Sequence, residues 1–241
     1  MNEQRAIGTD DALAAAARRV RIAARALGRA GLVHAYGHCS VRINADRFIV
    51  SPAKPLGLVG ESDAVVTVPT VGELPRGALP EVLAHQQIYR ARPEVCGVVR
   101  FQSPQLTALS TLGRTPRARH GFGAYFAPFP PLHRDPRLVR EMAAAVSLVE
   151  ELGSARAIVM RGNGAVTVGA SLEEAVVMAW YLEDAARVEL AVLATGLAGE
   201  ELTPLEAQAR AVTSGRIVER MWEWLTAGDP ESDARIDSET L

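Results

Sequence analysis

Residues 157–161 and 165–169 are short apolar runs separated by Gly162-Asn163-Gly164. A connection that tight joins two strands, because Gly and Asn tolerate the turn's backbone angles. Further β-like runs stand at 40–43, 47–51, 64–68 and 95–101, parted by Asn44-Ala45-Asp46 and by turn residues at 69–72. Helical stretches are predicted at 10–31 (Asp10 capping, Gly31 ending), at 80–90 with Pro80 in the first turn, and from Ser103-Pro104 onward. Others are predicted at 135–152 behind Asp135, at 171–195 behind a Ser171/Glu174 capping box, and at 203–227 behind Thr203. Residues 113–134, rich in Pro, Gly, Phe and His, read as a long loop of the functional kind. The order is helix, then strands with helices interspersed, then helices. It predicts an α/β fold: a single domain over 1–241 with a central, mostly antiparallel sheet flanked by helices, and a flexible tail from about 228.

Composition narrows the partners. The chain has 241 residues, 26 basic against 28 acidic, and a net charge of −2. It therefore lacks the dominant positive field that nucleic acid or a membrane surface requires. Cys39 and Cys96 are too few for a disulfide framework, and no apolar stretch has the length of a membrane span. The expected location is the reducing cytoplasm. Lys54 is the one lysine among the 26 basic residues. Codon bias is the plain explanation; a need for an amine there is the sharper one.

Four stretches, in order, carry a resemblance. They are Tyr36-Gly37-His38-Cys39-Ser40 with the hairpin to Ser51-Pro52; Pro80-Glu81 with His85 and 88–95; Val98-Val99-Arg100-Phe101-Gln102-Ser103-Pro104; and Arg161-Gly162-Asn163-Gly164 with Gly169 and 171–175. Together they resemble the class II aldolase/adducin family over about residues 10–200. The Tyr-Gly-His form, His120-Gly121-Phe122 and Arg220-Met221-Trp222 look like the branch that acts on aromatic or heterocyclic acids, often by decarboxylation. Sugar-phosphate members carry Asn where His38 stands and serines before the acidic residue, where this chain has Leu79 and Pro80. A phosphorylated sugar is thus the less expected substrate.

Members of that family hold a divalent metal, often zinc, with a His-x-His on a strand and a His-Gly turn. Alternate strand residues share a face, so both imidazoles of His-x-His reach one ion. Here those positions read Arg100-Phe101-Gln102 and Asn163-Gly164. Guanidinium has no lone pair to give, and amides are weak ligands. The expectation is a metal-independent site with no cofactor, where Arg100 binds a carboxylate or developing enolate while Gln102 and Asn163 support it.

The resemblance supplies the other site candidates. Glu81 matches the family's acidic residue and, with His38 and His120, is a candidate for proton chemistry. Ser40, Lys54, Arg161 and Tyr125 are candidates for substrate binding. His85, one helical turn beyond Glu81, reads as half of a helix-surface pair. The implied function is a lyase, of decarboxylase or retro-aldol type, acting on a small carboxylate-bearing substrate of hydroxy-aromatic or β-keto kind. Rivals are a cofactor-free isomerase, dehydratase or cyclase of secondary metabolism, and a non-catalytic, adducin-like assembly module. The resemblance also implies a homotetramer with sites at subunit junctions.

Overall fold

The computed structural model describes residues 3–233, with side chains from residue 11 onward. Seven strands form its sheet: β1 (His38–Arg42), β2 (Arg47–Val50), β3 (Val66–Pro69), β4 (Gly97–Phe101), β5 (Leu132–His133), β6 (Ala157–Met160) and β7 (Ala165–Gly169). Their spatial order is β3-β2-β1-β4-β7-β6-β5. Every pairing is antiparallel except that of β5 with β6. The fold is therefore the expected single α/β domain with a mostly antiparallel sheet.

Among the described residues seven α-helices flank it: α1 (Glu3–Arg29), α2 (Leu83–Ala91), α3 (Pro104–Thr111), α4 (Met142–Leu152), α5 (Leu172–Ala194), α6 (Pro204–Arg210) and α7 (Ile217–Thr226). Side chains alternate across each strand, so the sheet feeds two cores. Cys39, Val41, Ile49, Val99 and Phe101 pack with α1 and α5. Phe48, Val50, Val98, Val166 and Val168 pack with Ile88 and Tyr89 of α2 and Leu148 and Leu152 of α4. Each fully buried side chain of this size contributes about 1.5–3 kcal/mol.

Several boundaries differ from expectation, each for a local reason. Helix α1 already runs through Asp10, so the helix does not begin there. Gly31 does end it: at φ +69°, it lets Leu32 N–H reach the Leu27 carbonyl and its own N–H reach that of Gly28. Helix α4 starts at Met142, because Asp135 is engaged by the backbone and guanidinium of Arg137 instead of capping a helix. Ser103 makes no side-chain cap. Glu183 of α5 does that work, accepting from Ser103 Oγ at 2.5 Å and from the N–H groups of Gln105 and Leu106 at 2.9 Å each. The predicted helix at 203–227 is two, broken where Gly215 and Arg216 take positive φ.

The tail also departs from expectation. Asp229, with a fully buried side chain, accepts from Arg25 at 2.8 Å and from Arg29 at 3.0 Å. Glu231 takes Arg21 and Arg25, and Asp233 takes Arg18. Residues 228–233 are thus clasped to α1; the rest of the predicted flexible tail lies outside the described residues. Burial would raise both the Asp229 and Glu231 carboxyls, but their arginine partners outweigh it and hold them below the usual carboxylate range.

Candidate active site

Strand pairing assembles the centre. His38 lies directly opposite Arg100 in the β1–β4 register, so both side chains leave the sheet on one face. The turn after β6 folds tightly over the end of β4. A Cβ on Gly164, at φ +77°, would stand 2.0 Å from the Phe101 carbonyl oxygen, so glycine is required for that approach. The close crossing delivers Asn163: its Oδ1 accepts from Arg100 Nη2 and from Gln102 Nε2, each at 2.6 Å.

His38, Arg100 and Gln102 form part of the wall of a cavity of about 700 Å³, lined also by residues 35–37, 53–55 and 79–81 and by Leu138 and Arg140, while Asn163 braces Arg100 and Gln102 from behind. Arg100 is 7% exposed, and no carboxylate pairs with it among the described residues. Burial pulls its guanidinium down to about 10, opposed by the more distant charge of Glu81. A buried cation without a counter-charge is costly to keep. Glu81 is the one acidic residue of the lining and accepts from Arg140 Nε at 2.8 Å. Lys54 lines the cavity too, but its ammonium is held by Asp63 at 2.7 Å.

Beneath the cavity runs a buried polar chain. His38 Nδ1 lies 2.7 Å from His85 Nε2, His85 Nδ1 lies 2.6 Å from Ser40 Oγ, and Ser40 Oγ lies 2.9 Å from the Tyr89 hydroxyl. Burial first, then the nearby Arg100 charge, drive the His85 imidazole down to about 3; burial, His85 and Arg100 hold His38 well below its ordinary value. Both rings are neutral at physiological pH. His38 Nε2 is buried without a partner.

The structure therefore brings Arg100, Gln102, Asn163, His38, Glu81 and Lys54 together. It sets Ser40 one layer below, fully buried against His85. It does not bring in the other three candidates. His120 Nε2 pairs with Asp184 of α5 at 2.9 Å, the Tyr125 hydroxyl donates to the Val212 carbonyl, and Arg161 donates to the Arg134 carbonyl. None of the three lines the cavity within this chain. Conversely, His85 is no surface residue: it is 0% exposed. Glu81, His85 and Tyr89 recur at four-residue spacing along one helical face, and that repeat was the signal available for it. Arg140 reaches the cavity from a loop with no local signature.

Residues 18–190 match the family of the Class II Aldolase and Adducin N-terminal domain, and the chain belongs to that family. Its relatives include a 3,4-dihydroxyphthalate decarboxylase of Terrabacter sp. (strain DBF63), 30% identical over 183 residues, covering 69% of this chain and 76% of the relative. Another of the same name, from Arthrobacter keyseri, is 28% identical and covers 78% and 83%. Among solved structures, the L-fuculose-1-phosphate aldolase of Thermus thermophilus superposes with a TM-score of 0.67 at 27% identity, covering 79% of this chain and 99% of that one. YgbL of Escherichia coli, a putative aldolase/epimerase/decarboxylase, gives 0.72 at 22% identity over 83% and 99%, which speaks for the fold. With this fold and these relatives, the chain is a lyase-type enzyme. Family members are typically oligomeric and act on small molecules. Among the described residues no helix is long and apolar enough to cross a membrane.

Membership corrects the expectation of a site with no cofactor, because fuculose-1-phosphate aldolases of this fold are zinc-dependent and the family thereby implies a metal. The side chains at the corresponding positions do not fit one. They are a guanidinium and two amides, and the Asn163 oxygen already accepts two hydrogen bonds. Among the described residues no three or more His, Cys, Asp or Glu are grouped to hold an ion.

Proposed function

We propose that the chain is a decarboxylase of a small hydroxylated aromatic or β-keto acid, acting in the cavity above Arg100. The supporting observation is that buried guanidinium without a carboxylate partner, which leaves the substrate to bring the negative charge. Leu79 and Pro80 on the lining offer nothing to a phosphate, and the decarboxylase names of the relatives point the same way.

In this reading the anionic end of the substrate rests on Arg100, which Asn163 holds in place. In a β-keto acid, as the carbon–carboxylate bond breaks, carbon dioxide leaves and the bonding pair passes into the substrate's conjugated carbonyl. A hydroxy-aromatic acid first takes a proton on the ring carbon that bears the carboxylate, which gives it the same β-keto arrangement; the pair released with carbon dioxide then restores the ring. The oxygen that gains charge meets the donors on this wall, where little water dilutes them. The proton that this carbon takes is relayed from solvent through the Glu81 carboxylate, which Arg140 orients. The reading includes a homotetramer with the site at a subunit junction. Tyr36, 73% exposed, and Leu138, 44% exposed, stand on the lining where a neighbour would cover them.

The test is carbon dioxide release from a panel of hydroxylated benzoates and phthalates by the purified protein. Glu81→Gln should lower kcat by about 10²–10⁴ with little change in KM. Cleavage of a sugar phosphate, with no acid decarboxylated, would sink the proposal.

A further inference from the structure

Four buried contacts join His38 to Tyr89 beneath the cavity, and their hydrogens can be counted. His38 Nδ1 meets His85 Nε2 at 2.7 Å, and His85 Nδ1 meets Ser40 Oγ at 2.6 Å. Ser40 Oγ meets the Tyr89 hydroxyl at 2.9 Å, and that hydroxyl meets the Ser40 carbonyl at 3.0 Å. Each contact needs one hydrogen between its two atoms. Burial and the Arg100 charge keep both imidazoles neutral, so two rings and two hydroxyls supply four hydrogens.

Either atom can donate in the Ser40–His85 contact, so the direction is set at the Tyr89 end. A carbonyl only accepts, and the Tyr89 oxygen faces two of them, that of Ser40 at 3.0 Å and that of Cys96 at 3.5 Å. Its single hydrogen therefore goes to the Ser40 carbonyl. Burial pushes this hydroxyl well above its ordinary value, so it keeps that hydrogen. Ser40 then donates to the Tyr89 oxygen, His85 donates to Ser40 from Nδ1, and His38 donates to His85 from Nδ1. All four contacts are filled. The reverse order would leave the Tyr89 and Ser40 carbonyl oxygens facing each other at 3.0 Å with no hydrogen between them, and would strand an N–H on His38 Nε2. Ser40 and His85 are 0% exposed and Tyr89 is 1% exposed, so solvent does not repair such faults.

The geometry points to a bare lone pair on His38 Nε2, buried and without a donor, that accepts a hydrogen bond from a hydroxyl group of the bound acid. Arg100 lies directly across the strand pair, and a cation there favours a lone pair over an N–H. The wall thus sets an acceptor beside a charged donor. The carboxylate of an acid suits the donor. The acceptor calls for a group that can give a hydrogen, which a phenolic hydroxyl can do and an ether, a halide or a plain ring C–H cannot. His38 is then the residue that selects hydroxylated acids, and the substrate class narrows to hydroxy-aromatic acids. The hydroxyl contact rests on the reading of the cavity as the site of an aromatic acid; the lone pair follows from the hydrogen count alone.

Neutron diffraction from perdeuterated crystals at neutral pH locates the hydrogens. Deuterium is expected on Nδ1 of both His38 and His85, and deuterium on His38 Nε2 overturns the proposal. Calorimetry supplies the binding arm, with each monohydroxybenzoate set against the fluorobenzoate of the same substitution, which cannot donate. For the ring position that reaches His38, the wild type should bind the hydroxy acid about ten- to a hundredfold more tightly. His38→Leu, shown by its melting curve to be folded, should cut that preference to within about threefold and still bind the fluoro acid. A wild type that binds every fluoro acid as tightly as its hydroxy counterpart overturns the hydroxyl contact without recourse to a variant. A preference that survives in His38→Leu overturns it too. The expected preference without any release of carbon dioxide would instead remove the proposed reaction and leave this contact standing.

Discussion

Replacing Arg100 with Met should make the ligand-free protein more stable while abolishing its affinity for acids. Folding pulls the guanidinium from its ordinary value down to about 10, and burial is the leading cause. A unit of pKa corresponds to about 1.4 kcal/mol, so holding this charge costs the folded state about 3 kcal/mol. The sign follows from the direction of the shift. A base with a depressed folded value carries its full penalty below about pH 10, and sheds it as pH rises toward the ordinary guanidinium range. Methionine keeps most of the apolar stem and gives up the hydrogen bond to Asn163, whose oxygen still has Gln102. That loss offsets about 1–2 kcal/mol. The net gain is then about 1–2 kcal/mol, or a rise of about 2–8 °C in Tm for a domain of this size. Melting curves with and without phthalate provide the assay. The wild type should gain Tm with the dianion, and Arg100→Met should start higher and gain nothing. A variant that melts several degrees lower, or that responds to phthalate as the wild type does, would refute the idea of a destabilised cation waiting for an anion.

The clasp on α1 gives a second prediction: Asp229→Asn should cost about 3 kcal/mol in urea unfolding, as expected for breaking a buried ion pair from one side. Because the Asp229 and Glu231 carboxyls are depressed, their contribution is present above about pH 4 and lost as pH falls through their folded values. Acid titration should therefore loosen this clasp before the sheet melts, as read by hydrogen exchange along α1. A third concerns the replaced ligand positions. The triple variant Arg100→His, Gln102→His, Asn163→His should retain stoichiometric zinc in equilibrium dialysis, since the wild-type side chains already converge within 2.6 Å of one oxygen. Failure to bind would mean that the three positions do not converge as described.

The sheet was legible because its signals are local. The Gly162-Asn163-Gly164 turn and the apolar runs on either side of it define β6 and β7 without reference to anything distant. What escaped depends on partners far along the chain. Glu183 caps a helix some 77 residues earlier, and no window around Ser103 contains it. Asp135 satisfies every local rule for a cap and loses to Arg137, two residues away. The site divides in the same way. Arg100, Gln102 and Asn163 were found by their register with known motif positions. His85 was misjudged because burial is decided by the sheet packed against α2, not by the spacing of Glu81 and His85 alone. His120 and Tyr125 sit in the loop the composition marked, yet their bonds run to Asp184 and Val212, away from the cavity.

The arginine clasp has a bearing on how the molecule forms. Arg25 meets Asp229 across 204 positions of sequence. During synthesis the first helix emerges with several positive side chains whose clasp partners are made only after all seven strands. Early intermediates must hold that helix by its apolar stripe alone, and residues 229–233, made after the sheet, act as a latch. A truncation just before Asp229 should therefore slow the final docking of α1 far more than it disturbs the strands.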